Sequence, residues 1–477
     1  MTTRTLGDLS RKSATALVAL MRAKSASPVE VLQAHLDTIA RANGKVNAIC
    51  TLAAESAMEA ARRAERAILR GEPTGSLIGL PVGIKDVTPT AGIRTTYGSP
   101  LFAHNIPTED AAVVARLKDA GAIILGKTNT PEFAAGANTV NPVFGATRNP
   151  WNLALTVGGS TGGGGAAVAT GMIALAEGTD FGGSLRVPAA FCGVVGLRPT
   201  VGLVPSHPAP QPWDDGRTHG PMARTAEDVA LMLEAIVGVS NLSPISTPAP
   251  WRDLAATVGA TRDARGLRLA YSADIAGVGV DPEIGAVCHA AALRLVEAGA
   301  SVEEIALDFS EGCDAYRTLR GQWMVQQYAE RLDSLDRFGP NLARNVEAGL
   351  ALTPREIAAA EATRARLWHR WRAALERYDL ILTPTVPVPP FPVEQNYPET
   401  VAGKKMQTYI DWIAPTFLVT LGGLPACSVP CGTTVAGMPV GLQIIGRRFD
   451  EPRILGLAQL VQKAHPLGWP GLGAGDA

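Results

Sequence analysis

Two serines of the chain lie in segments that are dense in glycine. Ser160 belongs to the run Gly-Gly-Ser-Thr-Gly-Gly-Gly-Gly at 158–165, and Ser184 ends the run Asp-Phe-Gly-Gly-Ser that begins at Asp180. Glycine beside a serine leaves room for a substrate and lets successive backbone N–H groups turn toward one point. One such run alone more often indicates only a tight turn. Two of them favour a serine nucleophile with backbone donors for an oxyanion.

A serine hydroxyl becomes a good nucleophile only when a base removes its proton, and the usual base is histidine. None of the seven histidines lies in either run. His207 and His219 follow in an irregular Pro-rich stretch, where solvent-exposed or substrate-contacting roles are expected. Lys85 ends the apolar strand at 80–84, and a desolvated lysine loses its proton near neutral pH. Lys85 is therefore the candidate base; an ordinary lysine with its ammonium in solvent is the alternative.

Taken together, these segments resemble the amidase signature family over about the whole chain. The resemblance also rests on Gly83-Ile-Lys-Asp86, Gly220-Pro-Met222, Arg224-Thr225, Gly423-Leu-Pro425 and Gly441-Leu-Gln443. It implies an α/β/α sandwich around one large mixed β-sheet, an acyl-enzyme and no cofactor. It further implies a Ser-Ser-Lys triad, in which Ser184 is the nucleophile, Ser160 the proton relay after a cis peptide from Gly159, and Lys85 the base.

The resemblance also gives roles to residues around the nucleophile. The implied oxyanion donors are the backbone N–H groups of Phe181, Gly182, Gly183 and Ser184. Asp180 and Arg186 are expected to pair and to brace this loop, with a solvated surface pair as the alternative. The chain departs from the family pattern at Thr161 and Gly164, neither of which is a triad position.

Pocket walls are expected from two aromatic-containing stretches, at 203–219 and 390–417. The candidate substrate contacts are Trp213, Tyr409, Trp412 and Phe417. Packing in the core or within loops is the alternative for each of them. As pocket residues they favour a small uncharged carboxamide with an aryl or alkyl group, cleaved to release ammonia or an amine.

Two other motifs compete with this interpretation. Residues 121–128 match the P-loop expression, but their middle residues form an apolar strand where a phosphate-binding loop would be needed. Residues 158–162 match the nucleophile elbow of α/β-hydrolases, with Ser160 as the nucleophile and a downstream histidine such as His207, His219 or His369. That interpretation leaves the second glycine run and Lys85 without a role.

Two further function classes stay open. The amidase subunit of a tRNA-dependent amidotransferase is similar in length and motifs, and it works with partner subunits on glutamine. An inactive homologue that serves as a binding protein is disfavoured, because all three triad positions are filled. A homodimer is left open as well.

The elements that must position these residues follow an α/β pattern. Residues 1–70 are expected to form a helical layer, 71–465 the catalytic domain with a surface connection near 240–252, and 466–477 a flexible tail. Ser27-Pro-Val-Glu30 and Thr353-Pro-Arg-Glu356 have the pattern of helix capping boxes. Beyond these, helices alternate with short apolar strands, which predicts an α/β sandwich.

Composition narrows the class of partner. The 477 residues include 43 Lys and Arg against 44 Asp and Glu, so neither nucleic acid nor an anionic membrane is expected to bind. No apolar run is long enough to cross a membrane. Six scattered cysteines suit a reducing cytoplasm and form no metal-ligand pattern. We therefore expect a cytoplasmic enzyme without metal, acting on a small-molecule amide.

Overall fold

A computed structural model describes residues 6–471 of the chain. The α-helices of this part are α1 (Ala14–Arg22), α2 (Pro28–Val46), α3 (Ala54–Arg70), α4 (Ala112–Asp119), α5 (Gly162–Ala169), α6 (Arg186–Cys192), α7 (Ala226–Ile236), α8 (Leu254–Ala260), α9 (Pro282–Arg294), α10 (Gly312–Gln327), α11 (Pro340–Leu350), α12 (Pro354–Arg377), α13 (Ala414–Leu421) and α14 (Glu451–Ala464). Both sequence-predicted capping boxes are present, at the first residues of α2 and α12.

The strands of the described chain include one large set and three small pairs. They are β1 (Ile49–Leu52), β2 (Pro81–Lys85), β3 (Ile123–Thr128), β4 (Val140–Asn141), β5 (Gly145–Ala146), β6 (Arg148–Asn149), β7 (Asn152–Thr156), β8 (Leu175–Asp180), β9 (Val195–Arg198), β10 (Thr218–Ala223), β11 (Arg268–Tyr271), β12 (Ser301–Glu304), β13 (Leu380–Pro384), β14 (Thr400–Val401), β15 (Lys404–Lys405), β16 (Ala426–Thr433) and β17 (Pro439–Ile445).

Eleven strands form one sheet in the order β1-β3-β2-β8-β10-β9-β16-β17-β13-β11-β12. The sheet is mixed: β2 runs parallel to both β3 and β8, while β10 pairs antiparallel with β8 and β9. This confirms the predicted fold class, an α/β sandwich with one large mixed sheet.

Both faces of the sheet are covered, as strand β13 illustrates. Leu380 and Leu382 pack into the cluster that contains α7 and α14, whereas Ile381 between them packs into the cluster of α12 and α13. Alternate side chains of a strand point to opposite faces. A strand that is apolar at consecutive positions therefore indicates a sheet with helices on both sides.

The segment 1–70 differs from the predicted helical layer. Its residues 49–52 form strand β1, which pairs antiparallel with β3 at the edge of the sheet. The polar Thr51 between Cys50 and Leu52 weakened the strand signal, so the prediction of helices alone was wrong here. One edge of the large sheet is thus formed by the N-terminal segment, and the other by β12.

The predicted tail falls partly outside the described residues, since 472–477 are not among them. The described part before it is attached to the fold. Arg224 lies over the ring of Trp469 at 3.8 Å, and its guanidinium donates to the carbonyl of Gly468 at 2.9 Å. Residues 466–471 are thus irregular chain held against the domain.

Candidate active site

The candidate residues converge where two neighbouring parallel strands end. Strand β2 ends at Lys85 and strand β8 ends at Asp180, and Ile84 is the register partner of Glu177. The chain after β8 turns through the loop that carries Ser184. Parallel strands bring their carboxyl ends to one edge of a sheet, where loops can form a site. The topology therefore brings the base candidate and the nucleophile candidate to the same edge.

Lys85 is buried and makes a direct contact with Ser160. Its Nζ donates to Ser160 Oγ at 2.7 Å and to Thr179 Oγ1 at 3.0 Å, and its side chain has no exposed surface. The peptide between Gly159 and Ser160 is cis, as the resemblance implies. Lysine and serine thus form a hydrogen-bonded pair away from solvent.

Burial changes the protonation of Lys85. Because water is excluded from its ammonium, the pKa of Lys85 falls from its usual value to about 7, although the carboxylates of Glu177 and Asp180 act in the opposite direction. A lysine with this pKa is substantially neutral at pH 7 to 8. It can then accept a proton from the hydroxyl it contacts.

Asp180 and Arg186 form an ion pair, and the pair is fully buried rather than on the surface. Arg186 Nη2 lies 2.8 Å from Asp180 Oδ1, and Arg198 Nη1 donates to the backbone carbonyl of Asp180 at 2.7 Å. Burial alone would raise the pKa of Asp180, but the charges of Arg186 and Arg198 lower it to about 2. The loop before Ser184 is therefore anchored by a permanent carboxylate.

The carboxylate of Asp180 also accepts a hydrogen bond from one of the four backbone N–H groups predicted to bind the oxyanion. The N–H of Gly183 donates to Asp180 Oδ1 at 3.0 Å. Among the described residues, the backbone N–H groups of Phe181, Gly182 and Ser184 have no protein acceptor. Three amides of the loop are thus free to donate, and that of Gly183 holds the loop in shape.

Helix α13 packs directly on this loop. Thr416 Oγ1 donates to the carbonyl of Gly182 at 2.6 Å, and Arg186 donates to the carbonyl of Thr416 at 2.8 Å. Gly183 has a φ of +117°, and a Cβ at this position would overlap the side chain of Thr416. Only glycine fits here, for both conformation and space.

Both serines line a cavity of about 290 Å³. Its wall also contains Phe181, Gly182, Tyr316, Tyr328 and Tyr409, and no histidine or acidic residue is among its described lining residues. The space suits a small ligand, and the lining combines polar groups with aromatic rings.

The four aromatic residues expected in the pocket fall in three different places. Tyr409 lines the cavity, but Trp412 and Phe417 are fully buried and do not reach it. Trp412 packs on Phe191 at a centroid distance of 5.8 Å, and Phe417 stacks on Tyr316 at 4.1 Å. Trp213 is 74% exposed and borders a neighbouring groove. Trp412 and Phe417 therefore pack in the core, which was the alternative to a role in the pocket.

One buried pair beside Lys85 was missed by the sequence interpretation. His219 Nδ1 lies 2.7 Å from Glu177 Oε1, and Glu177 Oε2 accepts the backbone N–H of Lys85 at 3.2 Å. His219 belongs to strand β10 and is buried, so the expected solvent exposure was wrong, and it is not among the described residues that line the cavity. Glu177 precedes the Gly-Thr-Asp sequence at 178–180, and an acidic residue inside an apolar strand was the available signal.

The P-loop match at 121–128 is also explained by the structure. Residues 123–128 form strand β3 inside the sheet, and Lys127 is buried within it. Its ammonium donates to the carbonyl of Thr88 and to Thr90 Oγ1. The segment therefore has no loop that could surround a phosphate.

Comparison with known proteins identifies the family. The amidase family profile matches residues 30–455 of the chain. The chain belongs to the amidase signature family. It is accordingly an amidase, an enzyme that hydrolyses the C–N bond of amides.

Similar amidases and amidotransferase subunits match this member about equally in sequence. The acylamidase of Rhodococcus erythropolis is 36% identical over 462 residues, which cover 95% of this chain and 95% of that protein. A glutamyl-tRNA(Gln) amidotransferase subunit of Moorella thermoacetica is 36% identical over 472 residues, covering 93% of this chain and 95% of that protein. Sequence identity therefore does not separate the two classes.

Solved structures of the family superpose closely. A bacterial aryl acylamidase matches with a TM-score of 0.89 at 29% identity, covering 98% of this chain and 99% of that one. A 6-aminohexanoate cyclic dimer hydrolase with bound substrate matches with a TM-score of 0.87 at 28% identity, with the same coverage. The amidase has the fold of its family over nearly its full length.

Two features of residues 6–471 bear on other functions. No helix there is both long and apolar enough to cross a membrane. In the same residues, no group of three or more His, Cys, Asp or Glu side chains is arranged to hold a metal ion.

Proposed function

We propose that this amidase hydrolyses small carboxamides by itself, through a Ser-Ser-Lys triad and an acyl-enzyme. Ser184 is the nucleophile, Ser160 the proton relay and Lys85 the base. The observation that carries the proposal is the 2.7 Å hydrogen bond between Lys85 Nζ and Ser160 Oγ, at a buried lysine whose pKa is about 7. A fully protonated lysine could not start the reaction.

In the first half of the reaction, Ser184 Oγ attacks the amide carbon and gives its proton to Ser160. Ser160 passes its own proton to neutral Lys85. The backbone N–H groups of Phe181, Gly182 and Ser184 stabilise the oxyanion, since they have no other acceptor in the described chain. The proton then returns through Ser160 to the amide nitrogen, and ammonia or an amine leaves.

In the second half, water attacks the acyl-enzyme and gives its proton to Lys85 by the same relay. The tetrahedral intermediate collapses, Ser184 recovers its proton, and the carboxylic acid is released. Every proton is supplied by the amide, water or the triad. No cofactor takes part in this sequence of steps.

The lining of the cavity supports an aryl or alkyl group on the substrate, because Phe181, Tyr316 and Tyr328 present rings to it. The expectation that the substrate is also uncharged receives less support. Arg217, Arg320 and Arg331 line the same cavity, and their positive charges favour a substrate that carries a negative charge.

The main alternative is the amidase subunit of a tRNA-dependent amidotransferase, which the comparable identity of such subunits supports. Ammonia release from small amides by the purified chain alone, without tRNA, nucleotide or metal, supports the proposal. Activity that appears only with amidotransferase subunits, or that EDTA abolishes, contradicts it. A cytoplasmic location and a homodimer are part of the proposal only as sequence-based expectations.

A fluorophosphonate probe distinguishes the two serines. The label should be found on Ser184 by mass spectrometry of the digested protein, and Ser184→Ala should lose both labelling and turnover. A label on Ser160, or a His207→Ala, His219→Ala or His369→Ala variant as inactive as Ser184→Ala, would support the α/β-hydrolase alternative instead. No histidine is among the described residues that line the cavity, so we expect those histidine variants to retain turnover.

A further inference from the structure

The charges around the cavity are all of one sign. Arg217, Arg320 and Arg331 line it, and its described lining contains no aspartate or glutamate. No described carboxylate forms an ion pair with any of the three guanidinium groups; the other arginines near the nucleophile, Arg186 and Arg198, both contact Asp180. The described lining therefore carries positive charge without a direct ion pair; the nearby Asp214 accepts the backbone N–H of Arg217 at 3.3 Å, not its guanidinium.

Arg320 has the most unusual surroundings of the three. It is only 6% exposed, and its described partners are all neutral: Tyr409 Oη at 2.7 Å, Asn345 Oδ1 at 3.2 Å and Tyr316 Oη at 3.5 Å. A buried cation without an opposite charge is costly, since neutral oxygens replace only part of its hydration. Such a guanidinium is expected to have a charged partner in the functional state.

Arg217 and Arg331 extend the charge along the cavity wall. Arg217 is half-buried, its guanidinium donates to Ser206 Oγ at 3.3 Å, and its Nε is buried without a described hydrogen-bond partner. Arg331 lies over the ring of Phe102 at 4.8 Å. Arg217 lines the cavity and its guanidinium makes a single described hydrogen bond, so its other N–H groups are donors that a ligand can use.

The loop at 180–184, which carries Ser184, is called the nucleophile loop below. The position of Arg320 relative to this loop limits where an anion bound by Arg320 can lie. A single hydroxyl, that of Tyr316, lies next to Gly182 and also accepts from Arg320. The guanidinium carbon of Arg320 is 5.6 Å from the centre of the Phe181 ring. An anion held by Arg320 would therefore lie beside the loop that carries Ser184, in the cavity that both residues line.

We propose that Arg320 and Arg217 bind a carboxylate on the acyl part of the amide, so that the substrate class is the monoamides of short dicarboxylic acids. The planar guanidinium suits a carboxylate, which can accept two parallel N–H bonds. An ammonium on the same acyl chain would face three arginines and no acid, so a zwitterionic amide such as glutamine is a poorer substrate. This inference rests on the proposed function, because it names the acyl group cleaved there.

The test uses three amides with the same carbon chain. Pentanamide is neutral, glutaramate carries a terminal carboxylate, and glutamine adds an ammonium to glutaramate. We expect the purified enzyme to favour glutaramate over pentanamide by roughly 10- to 100-fold in kcat/KM, the range for hydrogen bonds to a charged group. Glutamine should fall below glutaramate.

Variants connect the preference to the two arginines. Arg320→Gln and Arg217→Gln should each lower the glutaramate-to-pentanamide ratio by about tenfold, mainly through KM for glutaramate. Arg320 is buried, so Arg320→Gln could fail to fold; Arg217→Gln then tests the proposal on its own. Arg366→Gln removes the same charge at an exposed site beside Glu311, so it is the matched control and should leave the ratio unchanged.

A binding measurement separates this inference from the catalytic proposal. Calorimetric titration of the Ser184→Ala variant with glutaramate and with pentanamide reports recognition without turnover. If the wild type cleaves none of the amides while the variant still binds glutaramate preferentially, the proposed function fails and the carboxylate site stands. If pentanamide is cleaved and bound as well as glutaramate, or the variant binds neither, the carboxylate site is wrong.

Discussion

Lys85 and Lys127 occupy nearly equivalent places in the sheet. They lie near the ends of the neighbouring parallel strands β2 and β3, where Ile84 is the register partner of Lys127 and Lys85 that of Thr128. Both side chains are fully buried. Exclusion of water lowers the pKa of Lys85 to about 7 and that of Lys127 to about 8.

The two lysines differ in what their ammonium groups contact. Lys85 donates to a serine hydroxyl that lines the cavity. Lys127 donates to a backbone carbonyl and to the hydroxyl of Thr90, and neither group borders the cavity. Burial therefore lowers the pKa of both lysines, but only Lys85 has the contact with Ser160 that the proposed proton relay requires.

The largest effect is expected from Lys85→Arg. Arginine keeps the positive charge but does not deprotonate in a protein, so general base catalysis is lost and kcat should fall roughly 10²- to 10⁴-fold. Steady-state ammonia release measures it, and circular dichroism checks that the variant is folded. Near-normal turnover would mean that Lys85 is structural, as Lys127 is.

Removing the relay should have the next largest effect. Ser160→Ala keeps Lys85 and Ser184 but deletes the hydroxyl between base and cavity, so kcat should fall by about 10²-fold. Fluorophosphonate should still label Ser184, although more slowly. A variant with unchanged kcat would show that Lys85 acts without Ser160.

The opposite result is expected for Lys127→Met. Loss of its ammonium leaves the Thr88 carbonyl without this donor, so the free energy of unfolding should fall by about 1–3 kcal/mol. Urea denaturation measures this change. Turnover per folded molecule should change less than about tenfold; a loss as large as that of Lys85→Arg would remove the distinction between the two lysines.

The smallest effect concerns the pH profile. Because the proposed mechanism requires neutral Lys85, whose pKa is about 7, kcat/KM should rise through pH 7 and then level off. The charge of Glu177 raises the pKa of Lys85, so Glu177→Gln should move the rising limb to lower pH. A limb that stays in place would show that this carboxylate does not tune the base.

The sequence predicted the family and the fold class, and both are confirmed. Both could be predicted because glycine runs and apolar strands are recognisable from a few consecutive residues. The base candidate was found in the same way, because Lys85 directly follows an apolar strand. Its pairing with Ser160 was implied only by the family resemblance, because the two residues are 75 positions apart and only the fold brings them into contact.

Other features depend on packing that the sequence does not encode locally. Trp412, Phe417 and Tyr409 have the same aromatic character, yet only Tyr409 faces the cavity, because helix α13 and the segment before it turn the other two into the core. The N–H of Gly183 donates to the carboxylate of Asp180. A sequence motif cannot reveal this hydrogen bond. Unpaired charge on Arg320 likewise appears only when its neutral neighbours are known.

The contact between Gly182 and Thr416 has a consequence for how the enzyme is made. The two residues are 234 positions apart in the chain, so the nucleophile loop leaves the ribosome long before the helix that supports it. A nascent chain has every residue of the Ser-Ser-Lys set but no support for the loop. Hydrolysis should therefore begin only after helix α13 has been synthesised, and proteolytic removal of α13 should abolish activity even though Lys85, Ser160 and Ser184 are all still present.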